Sequence, residues 1–90
     1  MTKKLKVFTS PSCVPCSLLK PVLEDASILM QVDIEYVDVS TEDGRDKAMR
    51  LGVRGVPTLM GKSHSGSVIQ ATGGRSKEEV LDIMEMLTDE

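Results

Sequence analysis

The only two cysteines of the chain lie three residues apart, in Ser12-Cys13-Val14-Pro15-Cys16. They follow the short apolar run Val7-Phe8 and open a stretch of helical character. Thiols at i and i+3 in the first turn of a helix share one face, close enough to form a disulfide with little backbone movement. The unpaired N–H groups and the positive end of the helix dipole point at the first sulfur, so we expect a lowered pKa for the Cys13 thiol. This spacing predicts a reversible dithiol–disulfide pair.

The composition is that of an ordinary globular protein with an aliphatic core. Ninety residues suffice for a modest core, so we expect residues 1–90 to form one domain. Phe8 and Tyr36 are the only aromatic residues. The net charge of −3 argues against a nucleic-acid partner, and the scarcity of aromatic residues argues against base stacking.

The beginning of the chain is basic but does not continue as a signal peptide. After the segment 1–6 only two apolar residues follow before Thr9, Ser10 and Pro11 interrupt the run. No segment approaches the length that spans a membrane. We therefore expect a cytoplasmic protein with no membrane partner. In a reducing compartment a C-x-x-C pair is more often catalytic or metal-binding than structural.

The hydrophobic pattern predicts seven elements in the order β-α-β-α-β-β-α. We predict strands over residues 4–9, 33–39, 58–61 and 67–71. The first helix should run from residue 13 to about residue 30, and a short second helix should follow the turn 41–44 and end at about residue 51. A capping box of Ser76 and Glu79 opens the last helix. The first two strands, joined through a helix, should be parallel. The fold class is thus α/β, with three helices covering both faces of a four-stranded mixed sheet.

Apolar residues at helical spacing indicate the faces that the helices bury. Pro15 is tolerated in the first turn of the first helix, whereas Pro21 should kink it, and Gly52 should end the second helix. The predicted buried positions are Leu18, Leu19, Val22, Leu23, Ala26 and Leu29, then Ala48, Met49 and Leu51, and finally Val80, Ile83, Met84 and Leu87.

Together these features resemble the thioredoxin/glutaredoxin family, nearly from end to end. The C-x-P-C motif opens a helix, and Pro21 follows Cys16 by five residues, as does the kink proline of the active-site helix in thioredoxins. The segment Gly52-Val53-Arg54-Gly55-Val56-Pro57-Thr58 is very like the thioredoxin segment that carries a cis-proline. Gly73-Gly74 resembles the glycine pair that precedes the last helix. The resemblance implies a thioredoxin fold.

The resemblance also implies an enzyme, a thiol–disulfide oxidoreductase that reduces protein disulfides and carries electrons. Cys13 would be the attacking thiolate and Cys16 the resolving thiol. Pro57 would be cis and would pack beside the cysteines, and the backbone of Val56 would offer strand-like hydrogen bonds to an extended substrate.

The two residues between the cysteines, Val14 and Pro15, would tune the reduction potential, and Pro11 and Ser12 would rim the reactive sulfur. The only redox group would be the Cys13–Cys16 disulfide, with no bound cofactor and no metal. The implied partners are thioredoxin reductase, with NADPH as the indirect electron source, and protein disulfides such as those of a ribonucleotide reductase. We expect a monomer.

The chain departs from the thioredoxin pattern at three positions around the cysteines. Ser12 and Val14 stand where tryptophan and glycine are usual, and Val7 stands where a buried aspartate assists proton transfer at the second cysteine. The group that handles the proton of Cys16 is therefore open. Because the first predicted strand starts at residue 4, we expect the domain to lack the additional N-terminal strand and helix of thioredoxins, and the smaller size resembles glutaredoxins. The electron donor, thioredoxin reductase or glutathione, is open as well.

Two alternatives remain open. One uses a different electron donor, and the other belongs to a different functional class. A glutathione-dependent glutaredoxin would use Arg75 and Lys77 to meet a carboxylate of glutathione. A non-catalytic binding module would use the fold as a scaffold, or hold a metal cluster between two chains. A zinc site would have only His64 as a good third ligand, in a predicted turn.

Three further residues near the motifs have both a functional and an ordinary interpretation. Pro57 without the cysteines would be an ordinary strand-entry proline. Lys20 and Arg54 could raise the thiolate fraction of Cys13 by Coulomb attraction, or be solvated surface charges.

Overall fold

Seven elements follow one another in the predicted order β-α-β-α-β-β-α. The structure is a computed structural model that describes residues 2–89, so both ends of the predicted domain 1–90 lie outside the described residues. The strands are β1 (Lys3–Thr9), β2 (Val32–Asp38), β3 (Thr58–Lys62) and β4 (Val68–Thr72). The helices are α1 (Val14–Met30), α2 (Glu42–Arg50) and α3 (Lys77–Met86).

The strands form one mixed sheet in the order β2-β1-β3-β4. Strand β1 is parallel to β2, with Val7 opposite Tyr36 and Thr9 opposite Asp38. It is antiparallel to β3, where Val7 faces Leu59, and β3 forms an antiparallel hairpin with β4. The parallel crossover and the hairpin are those that the sequence predicts, and the fold class is confirmed.

The two faces of the sheet carry separate hydrophobic clusters, because successive side chains of a strand point to opposite sides. Val7 lies on the face that α1 and α3 cover, in a cluster with Leu5, Leu19, Leu23, Ala26, Val32, Leu59, Val80, Ile83, Met84 and Leu87. Phe8 lies on the opposite face, where α2 packs, in a cluster with Val37, Ala48 and Val53.

The buried stripe of α1 is narrower than the apolar pattern predicts. Its buried residues are Cys16, Leu19, Leu23 and Ala26, on one line along the helix. Leu18 is 71% exposed and Leu29 is 66% exposed, so their predicted burial is wrong. Both residues lie beside the line that contacts the sheet and α3, and helical spacing alone does not show how wide the contact is.

The other two helices differ in how far the predicted burial holds. In α2 the prediction holds for Ala48, whereas Met49 and Leu51 are exposed, because this short helix contacts the sheet along a single line. All four residues predicted to be buried in and after α3 are buried, namely Val80, Ile83, Met84 and Leu87.

Polar caps fix where the later helices begin. The N–H of Glu79 donates to Ser76 Oγ at 3.2 Å and the N–H of Ser76 donates to Glu79 Oε1 at 3.0 Å, which confirms the predicted capping box. Thr41 caps α2 by accepting from the N–H of Gly44. Gly52 follows this helix with a φ of 73°, a conformation that favours glycine.

Helix α1 runs without interruption through Pro21. Across residues 2–89, the helices are too short or too polar to cross a bilayer.

Candidate active site

The two cysteines lie where the loop after β1 turns into α1. The N–H of Cys13 donates to the carbonyl of Ser10 at 3.1 Å, which closes a tight turn and ends the extended chain. Cys13 is the N-cap residue of α1, with an extended backbone, and Cys16 lies in the first turn. The two residues form a disulfide, with their Cα atoms 5.2 Å apart.

The two sulfurs have different surroundings. The backbone N–H of Cys16 donates to Cys13 Sγ at 3.2 Å, so the sulfur takes the place that a serine or aspartate oxygen takes in other helix caps. The same N–H can stabilise a thiolate on Cys13, together with the positive end of the helix dipole. Cys13 is partly exposed, whereas Cys16 is only 6% exposed. The geometry therefore separates an accessible sulfur from a buried one.

The loop before β3 lies against the disulfide. The Val56–Pro57 peptide bond is cis, Pro57 is fully buried, and Val56 is half-buried. The carbonyl of Pro57 accepts from the N–H of Gly73 at 2.8 Å, where Gly73 has a φ of 98°. The buried hydroxyl of Thr58 donates to the carbonyl of Gly55 at 2.6 Å. These bonds fix both ends of the segment 55–58.

A cavity of about 320 Å³ lies beneath the disulfide, between α1 and the first two strands. Cys16 and Pro57 line it on the active-site side. Its apolar floor includes Val7, which is 1% exposed. Thr9 and Asp38, paired across β1 and β2, form another part of the wall.

Charged and polar side chains stand at the β2 side of this cavity. The Lys20 Nζ lies 5.6 Å from the centre of the Tyr36 ring, and both residues line the cavity. Burial, together with the nearby negative charge of Glu24, raises the pKa of the Tyr36 hydroxyl. The hydroxyl and the N–H of Ser40 donate to Asp38 Oδ1, at 2.6 and 2.8 Å, and lower the pKa of that carboxyl.

Comparison with known proteins shows the family. A sequence model of the Thioredoxin family matches residues 2–86. The chain belongs to the thioredoxin family. Thioredoxin of Bacillus subtilis is 30% identical over 74 residues, which cover 82% of this chain and 70% of that protein. A solved mutant thioredoxin of Halobacterium salinarum is 28% identical, with a TM-score of 0.78, and the match covers 97% of this chain and 75% of that one.

Thioredoxin-family units also occur within longer relatives. A protein disulfide-isomerase of Medicago sativa is 33% identical over 86 residues, which cover 91% of this chain. The chain spans only 16% of the length of that relative.

The thioredoxin-like site brings together most of the residues that the sequence singles out. Ser12, Val14 and Pro15 are exposed around the disulfide, and Ser12 Oγ lies 3.2 Å from Ser10 Oγ. Pro11 lines the cavity together with Cys16 and Pro57. Their predicted parts in substrate binding remain predictions.

Two other candidates of the sequence lie elsewhere or are engaged. His64 is in the β3–β4 hairpin, at the opposite end of β3 from Pro57, and its Nε2 lies 3.3 Å from the carbonyl oxygen of Glu85. Within residues 2–89 no three His, Cys, Asp or Glu side chains cluster as metal ligands would. The Arg75 guanidinium donates to the carbonyl of Thr72 and to Glu79.

The sequence points to Lys20 as a partner of Cys13, but it does not place Lys20, Tyr36 and Asp38 together in the cavity that Cys16 lines. The i+4 spacing from Cys16 to Lys20 places the two on neighbouring turns of the same face, a signal that is present in the sequence. Whether Tyr36 and Asp38 line this cavity depends on the register between β1 and β2, which the sequence pattern does not specify.

Proposed function

We propose that this chain is a thiol–disulfide oxidoreductase that reduces protein disulfides and cycles between the Cys13/Cys16 dithiol and disulfide. The observation that carries the proposal is the asymmetric pair at the start of α1. Its partly exposed sulfur caps the helix, and its buried sulfur lies next to it, beside Pro57. Membership of the thioredoxin family supports the same chemistry.

In the proposed cycle Cys13 acts first. Its thiolate attacks one sulfur of the substrate disulfide, a mixed disulfide forms, and the other substrate sulfur leaves as a thiolate that takes a proton from water. Cys16 then loses its proton and attacks Cys13 Sγ. The bond between Cys13 and the substrate breaks, and the second substrate sulfur leaves. Two electrons pass from the dithiol to the substrate, and the Cys13–Cys16 disulfide remains.

The surface around the disulfide is the proposed substrate site. Val14 is 68% exposed and, with Pro15 and Ser12, borders the accessible sulfur. An extended segment of a substrate protein would bind along the backbone of Val56, next to Pro57, in the manner of an added strand. Thioredoxin reductase, drawing on NADPH, is the proposed electron donor, and a ribonucleotide reductase is a candidate substrate for a cytoplasmic, monomeric carrier.

The first test of this function is trapping of the mixed disulfide. The Cys16→Ser variant should accumulate covalent adducts with reduction-sensitive bonds when it is mixed with oxidised insulin, because the resolving thiol is missing. The Cys13→Ser variant is the matched control and should form far fewer adducts, since its remaining thiol is buried. Equal trapping by both variants, or by neither, would contradict the two-step roles.

The electron donor is tested by NADPH consumption with insulin as the acceptor. The intact protein is assayed once with thioredoxin reductase and once with glutathione and glutathione reductase. Consumption only with thioredoxin reductase is the expected result. Consumption only with glutathione would instead assign the chain to the glutaredoxin type of carrier.

A further inference from the structure

The buried thiol of Cys16 needs help to ionise. Cys16 is 6% exposed, and burial in apolar surroundings disfavours the thiolate of a cysteine. The neighbouring floor of the cavity is Val7, which carries no group that can accept or donate a proton. Attack by Cys16 on the mixed disulfide still requires the thiolate.

Lys20 is the cation that shares the cavity with Cys16. It lies one turn further along α1, where the residue is exposed to solvent, and it lines the same cavity. Its ammonium lies 5.6 Å from the Tyr36 ring centre, a cation–π arrangement that keeps the charge on the β2 side of the cavity. Among residues 2–89 no carboxylate lies within ion-pair distance of this ammonium. Its field is therefore not cancelled by a direct partner.

The other titratable groups around the cavity are Tyr36 and Asp38 of β2 and Glu24 of α1, whose negative charge acts on Tyr36 and also opposes that of Lys20. The Tyr36 hydroxyl carries no charge at neutral pH, and burial together with Glu24 raises its pKa further. The Asp38 carboxylate is charged, and its charge opposes that of Lys20. However, the hydroxyl and the N–H of Ser40 both donate to Asp38 Oδ1 and offset part of its negative charge. Strand β1 contributes Val7 and Thr9, which carry no charge.

We propose that Lys20 is a positioning residue for the resolving step, whose ammonium favours the Cys16 thiolate across the shared cavity. The inference rests on the proposed function. The proton of Cys16 passes to solvent water at the cavity mouth. The thiolate then forms the Cys13–Cys16 bond and the substrate sulfur leaves with the electron pair of the bond that breaks. Lys20 does not touch the reacting sulfur and takes no proton.

The test measures the acidity of Cys16 directly. In the Cys13→Ser background Cys16 is the only thiol, so its rate of alkylation by iodoacetamide against pH gives its own pKa. Adding Lys20→Gln should raise the midpoint by about half a unit to one unit and slow alkylation at pH 7 by about three- to tenfold. Lys20→Arg should retain the original midpoint, because it keeps the charge.

Three further arms keep the test decisive. Lys62→Gln removes the same charge at an exposed site on the far end of β3 and should leave the midpoint unchanged. Asp38→Asn should lower the midpoint, since it removes the opposing charge. Raising the salt concentration should raise the midpoint more in the single-thiol protein that keeps Lys20 than in its Lys20→Gln version, because the difference between the two reports the screening of Lys20 alone.

Two results would overturn the proposal. One is an equal midpoint in the Lys20→Gln and Lys62→Gln proteins, and the other is a shift that Lys20→Arg does not reverse. Neither result depends on reductase activity. Insulin reduction without a Lys20 effect would leave the proposed function intact, whereas a Lys20 effect without insulin reduction would contradict the function alone.

Discussion

At the scale of single residues, the sulfur of Cys13 serves the fold and the proposed chemistry at once. As the N-cap of α1 it accepts the N–H of Cys16, an interaction that helps to begin the helix. The same N–H can donate to a thiolate on Cys13 once the disulfide opens. The helix start thus offers a preformed site for the thiolate.

Glu79 shows how a cap makes stability depend on pH. Its pKa is lowered by the N–H of Ser76, then by the Ser76 hydroxyl, and then by Arg75. The folded state thus favours the ionised carboxylate. The resulting stability is present above the ordinary pKa of 4.5 and is lost as the pH falls through the lower folded value.

The Glu79→Gln variant should therefore have a lower urea midpoint at neutral pH and a shallower fall in stability between about pH 5.5 and 3. Urea unfolding across this pH range measures both effects. Glu78→Gln is the control, because Glu78 lies in the same helical turn but outside the capping box. An equal change of slope in both variants would contradict the account.

At the scale of elements, α2 begins unusually close to the end of β2. The N–H of Gly44 donates to Thr41 Oγ1, and a methyl group at Gly44 would collide with the backbone carbonyl of Asp38. A backbone carbonyl cannot turn aside as a flexible side chain can. The glycine is therefore required by close packing, although it lies inside a helix where alanine is otherwise preferred.

We expect Gly44→Ala to destabilise the protein by about 1–3 kcal/mol, even though alanine favours a helix by about 1 kcal/mol. Gly74→Ala is the matched control, since a methyl group there meets open space and the backbone is not left-handed. It should change stability by no more than about 0.5 kcal/mol. Urea unfolding of both variants decides the question, and a neutral Gly44→Ala would contradict it.

At the scale of the whole molecule, the sheet lies between two hydrophobic clusters, and we expect them to unfold as one cooperative unit. Leu23 lies in the larger cluster, under α1 and α3, at 1% exposure. Leu23→Ala should cost about 2–5 kcal/mol, through lost burial and the cavity that remains. That is a large part of the roughly 5–15 kcal/mol that holds a small domain folded.

Leu29→Ala on the same helix is the control for this prediction. Leu29 is exposed, and leucine and alanine differ little in helix propensity, so the cost should be within about 0.5 kcal/mol. Thermal unfolding followed by circular dichroism measures both variants. Two separate transitions in the Leu23→Ala protein would contradict a single cooperative unit.

Local signals in the sequence predict the elements of this fold and the position of the disulfide. Three of these signals act within a few residues of the chain, so the sequence pattern predicts them: the capping box at Ser76, the glycine after α2 and the cysteine spacing. The exposure of Leu18 and the cavity beneath Cys16 depend instead on how α1 lies across β1 and β2. The sequence associates Lys20 with Cys13 rather than Cys16, because it does not show which sulfur a long side chain faces.

Strand β2 ends the sheet on one side, with β1 as its one neighbouring strand among the described residues. Its free edge offers backbone donors and acceptors to which another chain can add. Asp33 is exposed along it and would repel the same residue of a second such strand, whereas Glu35 is paired with Lys47 at 3.4 Å. Asp33→Asn should therefore promote self-association of the folded protein through this strand, before its core is exposed, which light scattering would measure.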